Sequence, residues 1–84
     1  MTKYKIEPIA IYETTRIPSN CNAITFINPS GTTTVTINGV IPLLPSSSLS
    51  IEGNANEIDI TEYDVNFGTA TSGVIYILKK IFQP

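Results

Sequence analysis

The chain has 84 residues, 42% of them hydrophobic, so it is one domain with enough apolar sequence to fold. A chain this size buries roughly 60–65% of its unfolded surface, enough for one thin core but not for a core plus a deep enclosed active site. Charged residues make up only 14%, net charge is −2 and histidine is absent, which argues against wrapping nucleic acid and excludes His-based triads and Cys/His zinc sites.

Residues 3–12 read as extended chain. Tyr4 and Ile6 share one parity, Ile9 and Ile11 the other, and Pro8 sits at the switch, as proline does at an edge or a bulge. Residues 13–22 form the longest irregular piece, either a connection or the base of an arm. Together residues 1–16 are expected as an extended arm or edge strand. Ala23 to Ile27 is a short strand, and Asn28-Pro29-Ser30-Gly31 fits a type I turn.

Thr32 to Ile37 is β-branched throughout, with Val35 and Ile37 on one face. Asn38-Gly39 is the strongest hairpin signal in the chain, because a type I′ turn needs positive φ at both central residues. Val40 to Leu44 follows, with Pro42 marking an edge or bend, and Pro45-Ser46-Ser47 turns the chain again. Ser48 to Glu52 alternates, with Leu49 and Ile51 pointing inward.

After a turn at Gly53-Asn54-Ala55-Asn56, Ile58 and Ile60 share one parity while Tyr63, Val65 and Phe67 share the other. One straight strand cannot bury both sets, so a bulge or bend is expected at Thr61-Glu62. Gly68 to Gly73 is a further turn. Val74 to Phe82 is nearly continuous apolar sequence, expected as a strand with the core on one face and a partner on the other. No segment has a 3.6-residue apolar period with caps, so no helix is expected. These signals amount to about six to eight short strands, an all-β antiparallel sandwich or small barrel.

The charges are unevenly placed. From Ile17 to Ile51 there is no Asp, Glu, Lys or Arg, and the surface there is kept wet by hydroxyls and amides. Such a surface lies against other protein with little charge desolvation. Five of the seven acids (Glu52, Glu57, Asp59, Glu62, Asp64) fall between residues 52 and 64, and the bases sit at Lys3, Lys5, Arg16, Lys79 and Lys80. Pairing of the basic ends with the acidic segment is favourable, within one chain or between chains.

Sites for chemistry are sparse. Cys21 is the sole cysteine, most simply a small, partly buried apolar residue. Glu52, Asn54, Asn56, Glu57 and Asp59 offer oxygens around a turn as a calcium ion requires, but the EF-hand spacing fails at Glu57 and Tyr63. Neither a phosphate loop nor a Gly-x-Gly-x-x-Gly run occurs, so no cofactor and no catalysis is expected. With no apolar leader segment and no run of spanning length, synthesis in a cytoplasm without membrane insertion is expected. Tyr4, Tyr12, Tyr63 and Tyr76 are candidates for stacking on sugars, or for core and edge packing.

Asn28-Pro29-Ser30-Gly31-Thr32, Thr36-Ile37-Asn38-Gly39-Val40, Leu43-Leu44-Pro45 and Ser48-Leu49-Ser50-Ile51 together resemble the small β-sandwich proteins of tailed bacteriophage particles, of the capsid auxiliary (decoration) and fibre-adaptor type. The resemblance covers residues 24–67 and lies in hairpin rhythm and composition. It implies a structural role in a virion, docking on a major capsid or fibre protein, with self-association and no catalytic residues. The candidate interface residues are Tyr4, Ile6, Ile9, Ile11, Val74, Tyr76, Leu78 and Phe82. Asn38, Gly39, Gly68 and Gly73 are the candidate exposed turns. The competing expectation is a surface module that binds glycan or peptide, which would show tyrosines grouped on one face beside amide side chains.

Overall fold

Two antiparallel sheets stack face to face in the computed structural model, which describes residues 3–54, 56–68 and 73–83. The strands are β1 (Lys3–Ile11), β2 (Thr15–Pro18), β3 (Ala23–Asn28), β4 (Val35–Ile37), β5 (Ile41–Leu43), β6 (Ser47–Ile51), β7 (Glu62–Asn66) and β8 (Ile75–Gln83). The first sheet runs β1-β8-β3-β6 and the second β2-β7-β4-β5. The fold is therefore all-β, with no helix among the described residues.

Apart from the β4–β5 hairpin, each connection carries the chain from one sheet to the other. The Asn38-Gly39 hairpin forms as its sequence demands: φ is 53° at Asn38 and 69° at Gly39, and Val40 N–H donates to Ile37 O at 3.2 Å. The ladder resumes with Ile41 opposite Ile37, leaving Val40 as an extra residue. Pro42 lies on β5, an edge strand, where its missing N–H is tolerated.

The core lies between the inner faces. Ile11, Ile75, Ile77, Ile24 and Phe26 from the first sheet meet Ile17, Tyr63, Val65, Val35, Ile37 and Leu43 from the second. Phe26 and Tyr63 join the two sheets edge to face, with ring centroids 5.2 Å apart. Leu49 and Ile51 pack against this cluster from β6, on the parity expected.

Three local expectations need correction, and one is narrowed. Residues 13–22 are not wholly irregular, because Thr15–Pro18 pairs with β7 as an edge strand of the second sheet. The Asn28–Gly31 segment is closed by side chains: Asn28 Oδ1 accepts Ser30 N–H, and Ser30 Oγ accepts the N–H groups of Thr32 and Thr33. Of the two places expected for Pro8 the structure shows the edge, since β1 ends the first sheet and pairs residue for residue with β8 from Lys3 to Ile11. Thr61-Glu62 carries no bulge: Asp59 pairs with Cys21 in the register that Glu62 and Tyr63 keep with Pro18 and Ile17, and Ile58 and Ile60 lie ahead of β7 at 59% and 80% exposure.

Candidate functional site

Pro8 marks where β1 changes its business, although the strand itself runs straight. In an antiparallel ladder facing residues share a side of the sheet. Ile9 and Ile11 lie opposite Ile77 and Ile75, so these point into the core. Tyr4, Ile6, Pro8 and Ala10, opposite Phe82, Lys80, Leu78 and Tyr76, therefore form the outer face of the first sheet. Thr25 and Ile27 of β3 continue that face beside Leu78 and Tyr76. It ends on β6 in hydroxyls, where Thr25 Oγ1 and Ser50 Oγ lie 3.1 Å apart.

This outer face is apolar along β1 and β8 and nothing among the described residues covers it: Tyr4 is 55%, Ile6 48% and Tyr76 45% exposed. Its one charge is Lys80. The ammonium lies 4.5 Å from the Tyr4 ring centroid and 5.1 Å from that of Phe82, and the two rings pack edge to face at 5.9 Å. Such a cation over aromatic faces is worth about 0.5–1 kcal/mol at an exposed site.

The sequence-predicted interface residues thus separate. Tyr4, Ile6, Tyr76, Leu78 and Phe82 share one face, whereas Ile9 and Ile11 face the core and Val74 is half-buried ahead of β8. Lys80, Pro8 and Ile27 belong to the face and were not singled out, because their parity shows only once β8 is placed between β1 and β3. Among the turns, Asn38, Gly39 and Gly68 are exposed. Gly73 is half-buried, and a Cβ there would lie 3.4 Å from the Phe67 ring. Residues 69–72 of that turn lie outside the described residues.

The acidic segment makes a different feature, an open groove of about 280 Å³ between Glu52, Gly53, Glu57, Asp59 and Tyr63. The carboxylates of Glu57 and Asp59 are engaged by the protein's own donors. Glu57 Oε1 accepts Asn54 Nδ2 at 2.8 Å, Asp59 Oδ1 accepts Thr61 N–H at 2.8 Å, and Asp59 Oδ2 accepts Tyr63 O–H at 2.6 Å. Partial burial works to raise the Asp59 pKa, but hydrogen bonds from Thr61 and Tyr63 outweigh it and hold the carboxyl below its ordinary value. The Tyr63 hydroxyl is pushed up to about 12, first by burial and then by its bond to Asp59. Among the described residues no group of three or more acids or cysteines is placed to hold a metal ion, so Glu52, Glu57 and Asp59 do not form such a group.

Of the basic residues, Arg16 is the one that meets the acidic segment. Its Nε lies 2.7 Å from Asp64 Oδ1 and its Nη1 3.8 Å from Glu62, and the hydrogen bond and charge of Arg16 hold the Asp64 carboxyl below its usual range. Lys79 turns inward instead, donating from Nζ to Pro18 O at 2.7 Å. Cys21 is fully buried with its thiol 3.2 Å from Ala23 O.

No protein-family model matches the chain, and neither the curated proteins nor the solved structures contain a significant match to it.

Proposed function

We propose that the chain is a non-catalytic structural component of a virus particle, which docks on a shell or fibre protein through the outer face of its first sheet. The observation that carries this reading is the uncovered apolar surface of Tyr4, Ile6, Pro8, Leu78, Tyr76 and Phe82 around Lys80. Contiguous apolar surface of this kind marks an interaction site rather than a solvated one. Its partner is a neutral apolar protein surface with an acceptor, a carboxylate or carbonyl, opposite Lys80. The resemblance of residues 24–67 to phage auxiliary proteins supplies the setting, a product made in a host cytoplasm and displayed on a virion.

The glycan reading is weaker on this face. Tyr4 and Tyr76 are exposed on the same side, but they lie opposite Phe82 and Ala10 and so stand about 20 Å apart along the strands. Their neighbours are Ile, Leu, Pro and Ala rather than the amides that orient a sugar ring.

The test is amine cross-linking of purified particles, read by mass spectrometry. Lys80, Lys3 and Lys5 are expected to cross-link to a shell or fibre protein, and Ile6→Glu with Tyr76→Glu is expected to abolish incorporation while leaving the melting temperature nearly unchanged. A chain absent from particles, or one incorporated equally well with both substitutions, overturns the reading.

A further inference from the structure

Since β1 ends the first sheet, one side of its backbone has no strand beside it among the described residues. Which residues present that side can be read from β8. Phe82 N–H donates to Asn22 Oδ1 and Lys80 O accepts Asn22 N–H, both at 2.9 Å, on the side of β8 away from β1. Their ladder partners Tyr4 and Ile6 are therefore non-hydrogen-bonded pairs with β8. By the alternation of an antiparallel ladder, Tyr4, Ile6, Pro8 and Ala10 all turn their backbone groups outward. Pro8 sits where its missing N–H takes nothing from the pairing with β8.

We infer that this edge pairs with the same edge of a second copy of the chain, antiparallel, about a two-fold axis at Ile6. In that register Ile6 exchanges both backbone bonds with its counterpart, and Tyr4 N–H donates to the partner's Pro8 carbonyl. Lys5 then faces the partner's Glu7, and by symmetry Glu7 faces the partner's Lys5. The charges select the register. An axis at Lys5 sets Lys3 opposite the partner's Glu7 but brings two ammonium groups together at the axis, and an axis at Glu7 sets two carboxylates opposite each other, which is destabilising on a sheet. Lysine and proline blunt an edge against indiscriminate pairing; on β1 the axis at Ile6 is the alignment that opposes Lys5 to Glu7 with no like charges face to face. The product is a sheet continuous across two copies, with Tyr4, Ile6 and Pro8 of both on one apolar face. This goes beyond the docking proposal and stands whether or not the docked partner is a virion protein.

Sedimentation of the full chain tests it. The wild type is expected to dimerise, and Lys5→Glu or Glu7→Lys alone is expected to raise the dissociation constant by about tenfold or more, since two cross-strand pairs change from attraction to repulsion. The double exchange, Lys5→Glu with Glu7→Lys, restores the dimer. Ile6→Cys should cross-link between copies on mild oxidation, because hydrogen-bonded partners lie about 5.5 Å apart between Cα atoms, within disulfide reach. Ala10→Cys should not, since the two copies of that position lie about 27 Å apart in this register. Unchanged thermal melts show that the variants fold. A wild type that stays monomeric at its solubility limit overturns the inference. So does a double exchange that fails to restore the dimer, or cross-linking as fast at position 10 as at position 6.

Discussion

Asn28 offers the sharpest test of how the two sheets are held together. It ends β3 in the first sheet and is 1% exposed, yet its Nδ2 donates to Thr33 O at 2.8 Å, Leu43 O at 3.0 Å and Leu44 O at 3.3 Å. Leu43 belongs to β5 in the second sheet, so one amide bridges both layers where the chain crosses between them. Asn28→Ala removes the donor. Leu43 is buried and its carbonyl is left without this partner, while Thr33 and Leu44 are more open and regain water. At about 1–3 kcal/mol for an unsatisfied buried group, the expected loss is about 2–3 kcal/mol. That is a large part of the about 4–13 kcal/mol a domain of this length possesses, and it lowers Tm by about 10–20 °C.

Asn28→Asp keeps the shape but aims a carboxylate at three carbonyls, so at neutral pH it should cost more than alanine. Burial and the carbonyl dipoles raise the folded-state pKa of the introduced group above its unfolded value. The neutral form is then the one the fold tolerates. The penalty is absent below the unfolded pKa of about 4 and grows as pH rises through and beyond it. Circular-dichroism melts of wild type and both variants, from about pH 4 to pH 7, should show the aspartate variant approaching wild type in acid while the alanine variant keeps a constant gap. An aspartate variant that melts with wild type at pH 7, or a deficit that ignores pH, refutes the bridging role.

The remaining predictions concern turns and the acidic segment. Gly53→Ala should destabilise strongly, because the new Cβ would collide with the backbone carbonyl oxygen of Asn22, while Gly31→Ala, with nothing within 4 Å, should melt within a degree or two of wild type. Gly39→Val should cost about 1–2 kcal/mol by denaturant unfolding, since φ there is 69° and a β-branched residue resists it. An unchanged midpoint would remove the type I′ turn. Asp59 has a lowered folded pKa, so its stabilisation is present above the unfolded value and is lost as pH falls toward the folded one. Asp59→Asn should flatten the acid limb of the stability curve and bring the Tyr63 absorbance titration down from about 12 without returning it to the ordinary value, because burial is the larger cause.

The fold class was legible because alternation and turn chemistry are local. Asn38-Gly39 needed only its own backbone preference, and Pro8 and Pro42 each found the edge strand their missing N–H requires. What stayed hidden depends on distant partners. Thr15–Pro18 contains one buried apolar residue, Ile17, too little for a period, and it becomes a strand because β7 lies beside it. Asn22 reads as part of an irregular connection and Asn28 as a turn residue, yet both are buried and satisfied by carbonyls and N–H groups many residues away. No sequence pattern distinguishes a turn asparagine from one that replaces a missing rung of a sheet.

The parity switch in β1 was visible too, but its meaning was not. Apolar residues on both parities of a strand suggest a bulge when one core is assumed to serve the whole strand. Here the strand is straight, and its two halves answer to different surfaces: Ile9 and Ile11 to the core, Tyr4 and Ile6 to the uncovered outer face. The uncharged block from Ile17 to Ile51 has a corresponding explanation. It spans the end of β2 and all of β3 to β6, so it supplies inner faces to both sheets and the hydroxyl border of the outer one. The apolar part of the proposed docking face is drawn chiefly from the two ends of the chain, which β1–β8 pairing brings together. Lys3, Lys5, Glu7 and Lys80 lie along those same strands, so the segments that carry the apolar contact also carry the charges able to fix its register. Separating neutral core from charged ends therefore concentrates partner selection on β1 and β8.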